Sequence, residues 1–282
     1  MSAREDVAAA GQLACLLEVS APKPGNVSPG RHFHDTRFED FLASAVAIGP
    51  ALAGAGDHEL GATILAAVEA TARWTRSNTN LGIILLLAPL ARAALTGSGS
   101  LHDDVRETLA GTTVADAAQV YAAIRRARPG GLGAAATEDV AATPTVTLRE
   151  AMALAAERDS VAREYATGFD ITFGIGAPAL RRARASGLDW ADSVVETYLR
   201  LLAEVPDTHI ARKLGRAAAE AVSRSARQVV EGGGGRTGEG RRALAALDAE
   251  LRDPANRHNP GTTADLTCAA LYVVILEQCR NR

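Results

Sequence analysis

A loop rich in proline, glycine and histidine, residues 22–35, carries side chains that could bind a phosphate or move a proton. Within Lys23-Pro24-Gly25-Asn26-Val27 the prolines favour an extended backbone, and Gly25 permits a positive φ and a close approach to a ligand. Lys23 is therefore a candidate phosphate contact. A surface turn with a solvated lysine explains the same pattern.

Two histidines and an aspartate close the same loop. His32 and His34 are one residue apart and Asp35 follows, so the pair could ligate a metal, or His34 could act as an acid or base. The sequence holds no second cluster of His or Cys, which argues against a zinc site.

Two asparagines stand at the start of a strongly apolar segment, in Asn78-Thr79-Asn80-Leu81-Gly82. Asn78 is a good N-cap, which is a purely structural role. Capping does not explain Asn80 and Gly82. They predict free N–H groups and carboxamides that face a polar ligand at the positive end of a helix.

A third polar segment begins at Asp207, which is either a helix cap or a functional carboxylate. His209, Arg212, Lys213 and Arg216 follow at i, i+3, i+4 and i+7 in one predicted helix, so four potential cations would share a face. Such a stripe predicts either a solvated surface or a phosphate site.

The last predicted helix opens with Thr262-Thr263-Ala264-Asp265. The spacing of Thr262 and Asp265 is that of an acidic variant of the capping box. A carboxylate at the entrance of an apolar helix could equally hold Mg²⁺.

Two other segments draw attention. The glycine run at residues 232–235 has neither the GxxxxGK[ST] pattern nor a preceding strand, so it predicts a flexible joint rather than a phosphate loop. Asp159 begins a charged cluster that extends to Asp170, and this cluster could be exposed or could close a pocket.

The elements that must position these residues are helices. Aromatic residues make up only 4% of the chain, alanine is abundant and period-two β-branched runs are nearly absent. We expect one all-α domain over residues 1–282, with helices near residues 5–19, 37–53, 58–74, 78–95, 101–109, 114–128, 147–158, 176–185, 190–203, 208–231, 236–252 and 262–278. The helices over 78–95 and 262–278 lack a polar stripe and are expected at the centre of the core.

Composition narrows the function classes. The net charge of −3 and the ordinary hydrophobic fraction of 47% exclude disorder and a generally basic nucleic-acid binder. Three cysteines without CxxC spacing indicate neither a disulfide framework nor zinc, and favour a reducing cytoplasm. The N-terminus shows no export signal, and the longest apolar stretch, residues 81–95, is too short for a bilayer. We therefore expect no nucleic-acid or membrane partner.

Five of these motifs recur in an order that resembles the triphosphoribosyl-dephospho-CoA synthase family, specifically a branch found in archaea and C1-metabolising bacteria. The resemblance runs from about residue 13 to residue 276. The motifs are Glu18 with Pro22-Lys23-Pro24-Gly25-Asn26-Val27, His34-Asp35, Asn78-Thr79-Asn80-Leu81-Gly82, Asp207-Thr208-His209 and Pro260-Gly261-Thr262-Thr263-Ala264-Asp265-Leu266.

The resemblance implies an all-helical transferase that moves the 5-triphosphoribosyl group of ATP to the ribose 2′-hydroxyl of dephospho-CoA and releases adenine. It implies Mg²⁺ on the triphosphate, held by Asp207 and Asp265. Glu18 is the first candidate for the base, Asp207 is the second, and His34 could assist adenine departure.

The remaining site residues implied by the resemblance are candidates for substrate binding. They are Lys23, Gly25, Asn26, Asp35, Asn78, Asn80, His209, Arg212, Lys213, Thr262 and Thr263. Among them, Lys23, Arg212 and Lys213 would hold the triphosphate oxygens.

Departures from the family pattern leave the acceptor open. The lyase-associated branch has an acidic residue where Ser28 stands, a histidine in place of Asn80 and an asparagine in place of His209. One alternative is the same transfer to another hydroxyl, in the synthesis of a pterin- or furan-type C1 carrier. A second alternative is a non-catalytic nucleotide-binding helical protein. A homodimer is also left open.

Overall fold

The computed structural model describes residues 3–280, in which fifteen α-helices account for most of the chain. They are α1 (Ala3–Ser20), α2 (Phe38–Ala47), α3 (Gly49–Ala53), α4 (Leu60–Thr71), α5 (Leu81–Thr96), α6 (Leu101–Ala110), α7 (Val114–Ala127), α8 (Leu148–Ala153), α9 (Ser160–Thr167), α10 (Ala177–Ala185), α11 (Trp190–Glu204), α12 (Thr208–Leu214), α13 (Arg216–Glu231), α14 (Gly238–Leu251) and α15 (Gly261–Arg280). A π-helical turn spans Thr172–Gly176 and a 3₁₀ turn spans Gly234–Arg236. Residues 3–280 contain no β-strand, so the all-α expectation is confirmed.

Helices α5 and α15 lie at the centre of the core, as their apolar sequences predicted. Helix α15 packs against α1, α5, α10 and α11, and α5 also packs against α4 and α6. Leu86, Leu87 and Leu90 of α5 are completely buried. Shortening any one of them to alanine would cost about 2–5 kcal/mol of folding free energy. The core therefore fixes the starts of α5 and α15, where the predicted polar motifs lie.

Two predicted helices are divided in the structure. Residues 37–53 break at Ile48 into α2 and α3, and Pro50 stands in the first turn of the new helix, where its missing N–H is tolerated. Residues 208–231 break at Gly215, whose φ of 89° leaves the helical region.

The break at Gly215 changes the predicted cation stripe. Arg216 is exposed and is the first residue of α13. It forms an ion pair with Glu220, in which the Arg216 Nε lies 2.8 Å from the Glu220 carboxylate. The expectation that Arg216 shares a helix face with His209, Arg212 and Lys213 is therefore wrong.

Membrane-spanning potential was assessed over the described residues. Between residues 3 and 280, no single helix combines the length and the hydropathy that crossing a bilayer requires. The pair Leu81–Thr96 and Leu101–Ala110 meets those criteria only jointly, and its helices are bent by 109°.

Candidate active site

A cavity of about 880 Å³ opens where the starts of α5, α12 and α15 meet the loop at residues 22–35 and the segment at residues 128–147. Most of the sequence-predicted site residues line it. They are Glu18, Asn26, His34, Asp35, Asn78, Asn80, His209, Arg212, Lys213, Thr262 and Asp265. Four predicted residues do not line it: Lys23, Gly25, Asp207 and Thr263.

Lys23 is buried behind Glu18 rather than free in the cavity. Its Nζ lies 3.0 Å from Glu18 Oε1, donates to the backbone carbonyl of Glu18, and lies 3.3 Å from the carbonyl of Ala21. An ammonium group has three N–H donors, so these acceptors satisfy it. The structure therefore does not support the predicted contact of Lys23 with a phosphate. The lysine instead holds the carboxylate of Glu18.

Glu18 lines the cavity, and its environment shifts the pKa of its carboxyl group. Its side chain is 3% exposed, and it projects from the last turns of α1. Burial raises the pKa of the Glu18 carboxyl, and the ammonium of Lys23 opposes that rise. A carboxylate with a raised pKa is a better proton acceptor than a free one, which suits the predicted role as a base.

Asp207 joins two helix starts. Its Oδ1 accepts from Ile210 N at 2.9 Å, and its Oδ2 accepts from Thr263 N at 2.7 Å and from Thr263 Oγ1 at 2.8 Å. The N–H of His209 also bonds to this carboxylate. A carboxylate has about four acceptor positions, so little remains for a cation or a substrate proton. The predicted roles of Asp207 as metal ligand and base do not fit this arrangement. Thr263, predicted to bind substrate, instead donates two hydrogen bonds to Asp207 and so helps to connect α12 to α15.

Asp265 is the carboxylate left free at the cavity. Within residues 3–280 its side chain makes no hydrogen bond or ion pair, and it is partly exposed to the cavity. Burial raises the pKa of the Asp265 carboxyl well above its ordinary value, and repulsion from Glu18 and Asp207 adds to the rise. A bound cation would relieve this crowding of carboxylates.

Gly82 makes room for Asp265. A Cβ at position 82 would lie only 2.1 Å from Asp265 Oδ2, so the carboxylate packs directly against the glycine backbone in the first turn of α5. A side chain at position 82 would therefore clash with Asp265 of α15, which explains the glycine in the Asn78–Gly82 motif.

Two cations, Arg212 and Lys213, lie in the last turn of α12. Arg212 Nη1 donates to Asp159 Oδ2 at 2.7 Å, while the buried Nε of Arg212 has no partner in the described part of the chain. Lys213 Nζ donates to the carbonyl of Asn256 at 3.2 Å. Burial and repulsion from Lys213 and Arg212 lower the pKa of His209 to about 3, so this imidazole is neutral at pH 7.

The two asparagines at the start of α5 have different environments. The N-cap position of α5 is Asn80, not Asn78 as predicted, and the Asn80 side chain makes no cap hydrogen bond; Asn78 Oδ1 instead accepts from Leu81 N at 3.0 Å. Asn80 is buried, and its Nδ2 donates to Thr71 Oγ1 at 3.2 Å. Asn26, on the neighbouring loop, accepts from Val27 N through its Oδ1. All three line the cavity, as predicted.

His34 and Asp35 lie on the exposed rim. The Nδ1 of His34 is 2.9 Å from Asn256 Nδ2, and its Nε2 is 3.8 Å from Asp35 Oδ2. Gly25 has a φ of 71°, and its N–H donates to Asp248 Oδ1 at 2.8 Å. A Cβ there would lie 2.6 Å from Leu251 Cβ, so Gly25 lets the loop approach α14 closely and has a structural role.

Metal binding depends on the cavity carboxylates. The described residues contain no group of three or more His, Cys, Asp or Glu side chains placed to hold a metal ion. Mg²⁺ is commonly bound by one or two carboxylates together with substrate phosphates. Asp265, free and crowded by Glu18, fits such a site, whereas Asp207 does not.

Several cavity residues were not predicted from the sequence. Asp159 was noted only as one of a charged cluster, yet it caps α9 and anchors Arg212. Asn256 bridges His34 and Lys213. No sequence signal marks it, because it lies in an irregular segment between α14 and α15.

Comparison with known proteins decides the family. A family model described as ATP:dephospho-CoA triphosphoribosyl transferase matches residues 4–282. The chain belongs to this family. The family match agrees with the resemblance that the ordered motifs carried.

Curated relatives match over a shorter stretch. A protein from Pseudomonas fluorescens, named "Probable 2-(5''-triphosphoribosyl)-3'-dephosphocoenzyme-A synthase", is 33% identical over 117 residues, which are 41% of this chain and 40% of the relative. A protein of the same name from Pseudomonas savastanoi pv. phaseolicola is 33% identical over 122 residues, 43% of this chain and 41% of the relative. The matched stretch thus spans about two fifths of the length of these relatives.

A solved structure shows the same fold. The crystal structure of an Archaeoglobus fulgidus protein, whose title reads "putative triphosphoribosyl-dephospho-coA synthase", superposes with a TM-score of 0.66 at 31% identity. The match covers 84% of this chain and 98% of that protein.

Proposed function

We propose that this protein transfers the 5-triphosphoribosyl group of ATP to the ribose 2′-hydroxyl of dephospho-CoA and releases adenine. Membership of the transferase family supports the reaction class. The observation that carries the proposal is the pairing, in one cavity, of two crowded carboxylates, Glu18 and Asp265, with cations of α12, Arg212 and Lys213.

The transfer exchanges one bond at C1′ for another. The C1′–N9 bond of ATP breaks, the acceptor 2′-oxygen bonds to C1′, the hydroxyl proton leaves and adenine takes up a proton. Glu18 accepts the hydroxyl proton, since its pKa is raised and Lys23 fixes its position. His209 has a pKa of about 3 and carries no proton to give at pH 7, so His34, which lines the cavity at its rim, is the proposed proton donor to the departing adenine.

The donor triphosphate is held by charge. Arg212, with an unpartnered Nε, and Lys213 supply N–H donors to the phosphate oxygens. Asp265 would hold Mg²⁺, which when bound neutralises triphosphate charge. Asn78, Asn80 and Asn26 provide amide groups around the ribose, and Thr262 adds a hydroxyl at the start of α15.

The test is a comparison of two acceptors. Wild-type protein is incubated with MgATP and either dephospho-CoA or its 2′-deoxy analogue, and free adenine is measured. The proposal expects adenine only with dephospho-CoA. Release of ADP or AMP, or equal adenine release with the 2′-deoxy analogue, would contradict it.

A further inference from the structure

We infer that a second side of the cavity, formed by α4, α7, α8 and the segment that follows each of them, binds the phosphate groups of the acceptor through Arg76, Arg126, Arg128 and Arg158. The inference deepens the proposed function, on which it rests for the identity of the acceptor. It separates two anion sites in one cavity, with the donor triphosphate at α12 and the acceptor phosphates at this arginine rim.

The four rim arginines are available to a ligand. All four line the cavity and are exposed, and none makes an ion pair or side-chain hydrogen bond within residues 3–280. Arg212 differs from them, because its Nη1 already donates a hydrogen bond to Asp159 Oδ2. Unpaired guanidinium groups around a concave site are suited to bidentate binding of phosphate.

The two carboxylates on this side of the cavity, Glu138 and Asp139, form no ion pair with the four rim arginines. Glu138 accepts from Thr145 N at 3.0 Å and from Thr145 Oγ1 at 2.5 Å. Asp139 accepts from Ala135 N at 2.6 Å and Ala141 N at 2.8 Å, and these bonds, more than the nearby Arg158, lower its pKa. Both acids therefore hold the backbone of the segment, and four cations face two anions.

The same side offers an apolar wall next to the charges. Val68, Ile124, Leu148 and Met152 line the cavity there. Leu132 and Leu154 also line it and are 43% and 55% exposed, which is unusual for leucine side chains at a concave site. The chemistry fits a ligand in which phosphate groups adjoin a long organic chain, as the diphosphate of dephospho-CoA adjoins its pantetheine arm.

The backbone at Arg128 is held in a conformation that arginine disfavours. Arg128 ends α7 with a φ of 50°, a left-handed position at which glycine is the usual residue. Glu138 and Asn256, also at the cavity, have φ values of 49° and 51°. Backbone strain of this kind concentrates at ligand sites, where a side chain is needed in spite of it.

This conformation allows a test that spares the fold. In R128G the glycine takes the left-handed conformation without strain, so the melting temperature should not fall. R126S removes a second rim cation. Calorimetric titration of each variant with dephospho-CoA and, separately, with ATP should show dephospho-CoA binding weakened about tenfold or more and ATP binding unchanged. R73S is the matched control, since Arg73 is exposed nearby but does not line the cavity.

The outcomes separate this inference from the proposed function. Adenosine and pantetheine, the uncharged fragments of the acceptor, should bind wild type and R128G alike. Weakened ATP binding with unchanged dephospho-CoA binding would place the donor at the rim and overturn the inference, as would two unchanged affinities. If dephospho-CoA binds through the rim but is not converted, the proposed transfer fails while the anion site stands.

Discussion

The Nζ atom of Lys23 lies 3.0 Å from Oε1 of Glu18, and both side chains are almost completely buried. The pair connects the end of α1 to the loop that follows it, five residues later in the sequence. A buried charge pair of this kind costs desolvation energy, which its Coulomb attraction must offset. Its presence beside the cavity indicates that the position and charge of Glu18 are needed there.

Replacing Lys23 with methionine should disable catalysis without changing donor binding. K23M leaves the Glu18 carboxylate buried without its partner, so its pKa should rise further and the protein should lose about 3 kcal/mol of stability. We expect kcat to fall and the acidic limb of its pH profile to move to higher pH, with the KM for ATP little changed. Steady-state kinetics from pH 5 to 9 measure this.

The double variant E18Q/K23M is the control for stability. It removes both charges, so it should unfold at a higher urea concentration than K23M alone. A large rise in the KM for ATP in K23M, at unchanged kcat, would contradict this account and would indicate that Lys23 binds a phosphate of ATP directly.

Asp207 and Asp265 should respond oppositely to the same change. D207N places an amide N–H₂ against donor groups of Ile210 or Thr263, and should cost about 1–3 kcal/mol of unfolding free energy. D265N loses no hydrogen bond and removes one of several crowded carboxylates, so stability should be kept or improved while adenine release is lost. Urea unfolding and adenine release measured on both variants decide this, and a destabilised D265N would contradict the assignment.

Gly82→Ala tests the packing of Asp265 against α5. The new Cβ would lie 2.1 Å from Oδ2 of Asp265 and must displace the carboxylate. We expect activity to fall at least tenfold while the melting temperature changes by only a few degrees. G235A is the matched control, because a Cβ at position 235 meets no atom within 4 Å. Full activity in G82A would show that the position of Asp265 is unimportant.

Glu164 should make the fold less stable as the pH rises. Burial raises the pKa of this carboxyl from 4.5 to about 7, although Thr172 and Ile171 donate to it. The folded state thus binds the proton more tightly than the unfolded one. Its contribution, at most about 3 kcal/mol, is complete below pH 4.5 and lost as the pH rises through 7.

Comparison with E164Q isolates this contribution from other raised carboxyls. Urea unfolding of both proteins at pH 5 and pH 8 should show a smaller loss of stability in E164Q. An identical pH dependence in the two proteins would remove Glu164 from the account.

The sequence predicts the helices and the gathering of the motifs well, because both follow from local patterns. The apolar runs of α5 and α15 require burial on every side, and their polar starts must then reach the surface together. This reasoning brings Asn78, Asn80, Thr262 and Asp265 to one cavity, as the structure does.

The roles of single residues within the site follow from tertiary contacts, which the sequence does not reveal. Lys23 and Asp207 have the right types for phosphate and metal binding, yet both are saturated by partners that fold around them. The split at Gly215 depends on a positive φ that glycine allows but does not require. The rim arginines carry no motif, since they come from three separate segments.

Mass analysis of the reaction product tests the central claim most directly. Wild-type protein with MgATP and dephospho-CoA should form a product whose mass equals the sum of both substrates minus adenine, so that the three phosphates of ATP are retained. The E18Q variant should form little of this product while still binding ATP. A product that has gained only a phosphate, or an E18Q variant as active as wild type, would contradict the account.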